Sequence, residues 1–173
     1  MEGAGNQQER LDSYMAGFVD GEGCFAISVQ RNISCRTGIQ LVPEFHVSQN
    51  GDRAEVLGLL QERLGCGYIR SNGRKDRALV FVVRRREDLL ERVIPFFEAN
   101  PLLSSKHREF QTFAVIVRAM AVGRHLADAG FRELLTAALL MNGGGRFRQK
   151  QWLEISYPES SETTCRTGEI LKI

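Results

Sequence analysis

Polar and apolar positions alternate twice in the first third of the chain. From Cys24 to Asn32, apolar Phe25, Ile27 and Val29 alternate with Ser28, Gln30 and Asn32, and from Gln40 to Gln49 apolar Leu41, Phe45 and Val47 alternate with Gln40, Glu44, His46 and Ser48. A period of two sends successive side chains to opposite faces, so each run predicts a strand with one buried and one polar face, joined by the turn-rich segment Ile33 to Gly38. The period then changes. Val56, Leu57, Leu59, Leu60 and Leu64 recur at helical spacing after Asp52, a capping residue, and Gly65 ends that helix. A second hairpin is predicted from Gly67 to Ser71 and Ala78 to Arg84 around Asn72-Gly73, then a helix from Glu87 to Ile94 that breaks near Pro95.

Helices flank this pattern. Asp12 or Ser13 can cap one running to about Asp20, with Gly21 and Gly23 supplying the permissive backbone needed to leave it. After Asn100-Pro101, Ser104 or Ser105 starts a helix to about Val122, and Phe131 to Met141 gives another. Gly143-Gly144-Gly145 reads as a flexible joint, Gln149 to Ile155 as a short helix, and the Ser/Thr/Glu-rich segment Tyr157 to Ile173 as a loosely ordered tail. The chain is thus expected to be α+β, ordered αββαββα with additional C-terminal helices: a flexible lead over 1–10, one domain over 11–156, and a tail over 157–173.

Composition narrows the class. A chain of 173 residues, 43% hydrophobic and 25% charged, can bury one core of its own. Met1 to Arg10 is polar, unlike a signal peptide, and the apolar run Phe113 to Val122 is interrupted by Arg118 and too short to span a bilayer, so an intracellular protein with no membrane partner is expected. Cys24, Cys35, Cys66 and Cys165 lack CxxC spacing, which suggests reduced thiols and neither a zinc site nor a disulfide framework. Net charge is only +2, but just four of the 23 basic residues are lysine, and the planar arginine fork suits phosphate and guanine. A solvated arginine-rich surface has the same composition.

Two features of the first helix carry chemistry. Ser13, Ala16, Gly17, Asp20 and Gly21 share one stripe at spacings of three and four, nearly free of side-chain bulk. Either its own sheet or another backbone could approach that stripe closely. Glu22 lies just beyond the helix end, where partial negative charge disfavours a carboxylate by a few tenths to about 1 kcal/mol. Glu22 is therefore either a solvated turn residue or the partner of a cation. A metal bridging Glu22, helix-end carbonyls and a phosphate has only oxygen ligands, which points to magnesium.

Met15 to Gly23 resembles the LAGLIDADG motif of homing endonucleases, with Glu22 at the acidic eighth position, where that family carries Asp or Glu. Phe45-His46-Val47-Ser48-Gln49, Leu64-Gly65-Cys66-Gly67-Tyr68-Ile69, and Asn100-Pro101-Leu102-Leu103 followed by Lys106 are similar to segments in the same family order, and the likeness covers about residues 11 to 156. The resemblance implies that the antiparallel four-stranded sheet forms a saddle over the major groove of double-stranded DNA. It implies a homodimer, since one motif is present, with Ser13, Ala16, Gly17 and Asp20 at the interface and a near-palindromic target. DNA-facing residues would be Ser28, Gln30, Asn32, Gln40, Glu44, His46, Arg70, Asn72 and Arg77, with Arg146, Arg148 and Lys150 either gripping flanking phosphates or merely solvated.

The resemblance also implies an intron or intein homing endonuclease that makes a staggered double-strand break. Glu22, helped by the Gly21 carbonyl, would bind Mg2+, Gln49 would orient water, and Arg53 and Lys106 would supply positive charge near the scissile phosphates. Ser104 competes with Lys106 for the basic position in some alignments. The alternatives are a non-cutting intron maturase or a transcription regulator. A small-molecule cofactor is not expected, because no phosphate-cradling glycine loop or histidine cluster stands out. Preference for Arg, Ala and Gly over Lys and Asn suggests a GC-rich host and favours the prokaryotic cytoplasm, with an organelle (chloroplast or mitochondrion) as the alternative.

Overall fold

Phenylalanine rings join the sheet to the helices that cover it. In the computed structural model, which describes residues 3–73, 77–141 and 152, Phe25 and Phe45 stack at 5.0 Å between centroids, and Phe97 and Phe110 close on Phe25 at 5.3 and 5.2 Å. All four are buried, each contributing about 1.5–3 kcal/mol of apolar burial. Around them run α1 (Gly3–Glu22), β1 (Gly23–Arg31), β2 (Ile39–Asn50), α2 (Glu55–Leu64), β3 (Tyr68–Ser71), β4 (Ala78–Val83), α3 (Arg86–Asp88), α4 (Ile94–Ala99), α5 (Lys106–Ala121) and α6 (Asp128–Met141). The αββαββα order and additional helices match the sequence expectation.

The four strands form one antiparallel sheet in the order β1-β2-β4-β3. Phe25 pairs with Phe45 and Phe45 with Val83, so the apolar sets of three strands fall on one face, against the helices. The other face carries Ser28, Gln30, Gln40, Glu44, His46 and Arg70, as the alternation predicts. The β1–β2 connection folds where expected, with the Asn32 N–H donating to the Gly38 carbonyl at 2.9 Å and Gly38 at φ 68°.

Several boundaries differ from the sequence reading. α1 starts at Gly3, so residues 3–10, expected as a flexible lead, are helical, and Asp12 sits inside the helix rather than capping it. Asp12 is 8% exposed and takes a two-pronged contact from Arg63 of α2, Nε to Oδ1 at 2.6 Å and Nη2 to Oδ2 at 2.7 Å. Asp52 does not cap α2, because a turn of 3-10 helix over Gly51–Arg53 intervenes; Leu59 is exposed, while Gly65 ends the helix in the left-handed region. Pro95 does not break its helix. A π-helical turn over Leu89–Val93 precedes it, and the wider turn makes room for a ring that has no N–H to donate. The joint Gly143–Gly145, most of the helix expected from Gln149 to Ile155, and the tail from Tyr157 lie outside the described residues.

Candidate functional site: a helix-end carboxylate beside a polar sheet face

The end of α1 is locked from within the chain. The Lys106 ammonium donates to the carbonyl oxygens of Val19 at 3.1 Å and Gly21 at 3.4 Å, and also to that of Gly23. These oxygens flank Glu22 and include acceptors that the last turn of a helix leaves without partners. The cation that the sequence calls for at this helix end is therefore supplied by Lys106.

Asp20 sets the position of that lysine. Its carboxylate accepts the Leu103 N–H at 3.1 Å, the Ser104 N–H at 2.9 Å and the Ser104 hydroxyl, while the Ser104 oxygen accepts the Lys106 N–H at 3.1 Å. Desolvation pushes the Asp20 carboxyl up, but the bonds from Ser104 and Leu103 outweigh it and hold the group below the usual carboxylate range. Asp20 thus serves the start of α5 within its own chain, beyond the interface role expected of it. Ser104 is taken up by Asp20, so of the two candidates Lys106 is the one that reaches the helix end.

Neither Gly21 nor Gly23 has a positive φ, so backbone freedom is not what these glycines provide. A Cβ on Gly23 would lie 2.5 Å from Val19 Cγ1 and 2.8 Å from the Val19 oxygen, so the residue is small because β1 leaves close against α1. Glu22 itself is exposed, and its carboxylate has no hydrogen bond or ion pair among the described residues.

Gln49 lies at the same end of the sheet. Gly23, next to Glu22, pairs with Val47, two positions before Gln49 on the same face of β2. The Gln49 Oε1 accepts the Asn50 N–H at 2.8 Å, leaving the amide nitrogen to donate. Arg53 follows, exposed at the end of the 3-10 turn. Among the described residues no hydrogen bond or ion pair joins Gln49 or Arg53 to Glu22.

The outer face of the sheet is organised in rows. Ala26 and Glu44 share one row, where Arg84, one residue beyond β4, reaches the Glu44 carboxylate; Cys24, His46, Val82 and Tyr68 share the next, and Ser48, Val80 and Arg70 a third. Ser28, Gln30, Gln40 and Arg70 are exposed on this face, and Asn72 and Arg77 are exposed beyond the ends of β3 and β4. Asn32 donates from Nδ2 to the Gln40 Oε1 at 2.8 Å and accepts the Ser34 N–H at 3.0 Å, so it also braces the β1–β2 turn. Arg146, Arg148 and Lys150 lie outside the described residues. Tyr68 and Arg84 face outward too, and the sequence reading missed them. β4 shows no alternation that could reveal its outer side, since Val80 is 2% and Val82 0% exposed.

The small-residue stripe of α1 divides in two. Ala16 is buried in the chain, whereas Ser13, Gly17 and Gly21 are exposed, and a Cβ on either glycine would meet nothing within 4 Å. There Ser13, Gly17, Pro101 and Leu103 line a groove of about 300 Å3, with Leu103 95% exposed.

Among the described residues no three of His, Cys, Asp and Glu converge as a metal cluster. One chain instead offers the free Glu22 carboxylate and the Gly21 carbonyl, the latter only loosely shared with Lys106. An all-oxygen donor set of this kind has the chemistry that suits a hard divalent cation.

Residues 15–117 match the family model described as LAGLIDADG endonuclease. The DNA endonuclease I-CeuI of Chlamydomonas moewusii is 35% identical over 85 residues, 49% of this chain and 39% of that protein. The chain spans less than two thirds of the length of the curated relatives it matches. Among solved structures, the homing endonuclease I-TnaI superposes with a TM-score of 0.77 at 38% identity, covering 84% of this chain and 97% of that one. The archaeal intron-encoded homing endonuclease I-Vdi141I, complexed with DNA, gives 0.78 at 26% identity over 87% and 97%. Among the described residues no helix is long and apolar enough to cross a membrane.

Proposed function

Because this chain belongs to the LAGLIDADG endonuclease family, we propose that it is a site-specific DNA endonuclease which, as a homodimer, makes a staggered break in a long, near-palindromic duplex. The observation that carries the reading is Glu22: an exposed carboxylate without a partner among the described residues, held at a helix end that Lys106 neutralises, beside a stripe open to close approach. A solvated turn residue would need neither the lysine nor the open stripe. The DNA complex of the similar protein I-Vdi141I and the polar sheet face support duplex DNA as the substrate.

Two-fold packing through Ser13, Gly17 and Gly21 would bring two Glu22 carboxylates to the centre of the target. Glu22 and the Gly21 carbonyl from each copy would hold a divalent cation, for which Mg2+ is the hard, oxygen-preferring choice. When bound, that cation lowers the pKa of water and stabilises the oxygen that leaves phosphorus. Gln49 orients the attacking water through its free amide nitrogen. Arg53 and Lys106 offset charge that builds on the phosphate oxygens, while Lys106 keeps the helix end that bears Glu22 in place. The outer sheet face reads the major groove, and intron or intein homing is the setting in which such a cutter acts.

Incubating the protein with a randomised palindromic library tests this reading. Mg2+-dependent double-strand cleavage at one site, abolished by EDTA, is the expected outcome. Binding without cleavage would identify a non-cutting relative.

A further inference from the structure

Glu44 stands on a sheet face proposed to meet a polyanion, so its charge needs a reason. Its side chain is only 15% exposed and is engaged by Arg84, one residue beyond the last β2–β4 pair (Phe45 with Val83), whose Nε donates to Oε2. His46 Nδ1 lies 3.1 Å from Oε1 without the alignment of a hydrogen bond. The carboxylate is therefore sunk into the face and neutralised from above. Arg84 is its opposite, 51% exposed, with Nε committed to Glu44 and no acceptor for Nη1 or Nη2 among the described residues. Next to it lie the small Ala26 on the far side of Glu44 and the buried side chain of Val82, neither of which competes for a polar base edge.

An arginine fixed through Nε keeps its guanidinium in one plane and presents two parallel N–H groups at its tip. Guanine offers the matching pair of acceptors, O6 and N7, in the major groove. We propose that Arg84 is a specificity-determining residue that reads a guanine, and that Glu44 is a positioning residue that holds Arg84 and touches no base. The inference rests on the proposed DNA-cleaving function and adds to it a base, a reader and a support. Glu44, expected from sequence to face DNA as a contact, thereby acts through its neighbour. A phosphate-gripping Arg84 would not need its guanidinium plane held, because phosphate can be approached from many directions.

Site selection on the full-length protein tests it, with wild type, Arg84→Ala, Arg84→Lys, Glu44→Ala and the Glu44→Ala/Arg84→Ala pair compared by relative affinity at each position. Wild type is expected to select guanine at one position of each half-site. Arg84→Ala should relax that position by about 10- to 100-fold and leave the others intact, with Arg84→Lys intermediate. Glu44→Ala should relax the same position, and the double variant no further than Arg84→Ala alone. Preserved preference at the other positions serves as the check that each variant folds. A uniform loss of affinity across all sequences, with the salt slope smaller by about one, would make Arg84 a phosphate contact and overturn the inference. Relaxation at a different position by Glu44→Ala would make Glu44 a reader in its own right and do the same. Wild type that selects no site would overturn the DNA-cleaving function itself, a result distinct from any change among the variants.

Discussion

Lys106 Nζ stands 3.1 Å from the carbonyl oxygen of Val19, a residue 87 positions earlier in the chain. That contact joins the start of α5 to the end of α1 and puts a positive charge on the carbonyl oxygens of the helix end that bears Glu22.

Replacing Lys106 with Met should therefore act twice. Loss of a cation at a helix C-terminus removes about 1 kcal/mol of stability. Cleavage should fall by roughly 100-fold, the range for deleting one electrostatic group at a reacting phosphate or carbonyl. Urea unfolding and single-turnover cleavage separate the two effects. A variant that is destabilised but cuts at the wild-type rate would limit Lys106 to the fold.

The glycines of α1 should respond in opposite ways. Gly23→Ala drives a methyl into Val19 and should cost about 1–3 kcal/mol in the unfolding free energy. Gly17→Leu faces open space in the single chain and should leave its fold intact, yet block close approach by a second copy. Sedimentation velocity should show a dimer for wild type and a monomer for Gly17→Leu. An unchanged dimer would refute this interface.

Asp12 predicts a pH dependence. The Arg63 hydrogen bond, opposed by desolvation and aided by Gln8, holds the Asp12 carboxyl below the usual carboxylate range. A depressed folded-state pKa means that the contribution is fully present above the unfolded value of about 4 and fades as pH falls through the lower folded value. Stability should thus be level in this respect from pH 7 to 5 and drop below about pH 4. Asp12→Asn should lose about 1–2 kcal/mol at pH 7, because Arg63 is partly exposed and retains some solvation. The variant should also show a shallower acid decline. Equal acid slopes in wild type and variant would remove Asp12 as the cause.

Affinity for DNA should fall steeply with salt if arginines of the outer face and of the segment after α6 meet phosphates. A flat response in binding titrations from 50 to 200 mM salt, concentrations on the order used to resolve such slopes, would argue against an extended groove contact.

Much of the fold is legible in the sequence because β1 and β2 are half-buried, so period two is written directly into Phe25 to Asn32 and Gln40 to Gln49. β4 is opaque for the converse reason. Its residues Val80 to Val83 are buried on both faces, and the strand offers no polar marker until Arg84, just beyond its last residue. Residues 5–10 of α1 are hidden because they are exposed, with no apolar stripe to announce a helix. Glu22 stands out by motif and by its awkward electrostatics, but its support does not. Lys106 reaches Val19 and Ser104 reaches Asp20 across more than 80 residues of chain, which no local pattern encodes.

Glu22→Gln is the most direct test of the central claim that two copies share one cutting centre. The substitution keeps the shape and removes the charge of an exposed side chain with no hydrogen bond or ion pair among the described residues. Site-specific binding should remain within a few-fold of wild type while Mg2+-dependent cleavage of both strands disappears. Undiminished cutting by Glu22→Gln would contradict the account.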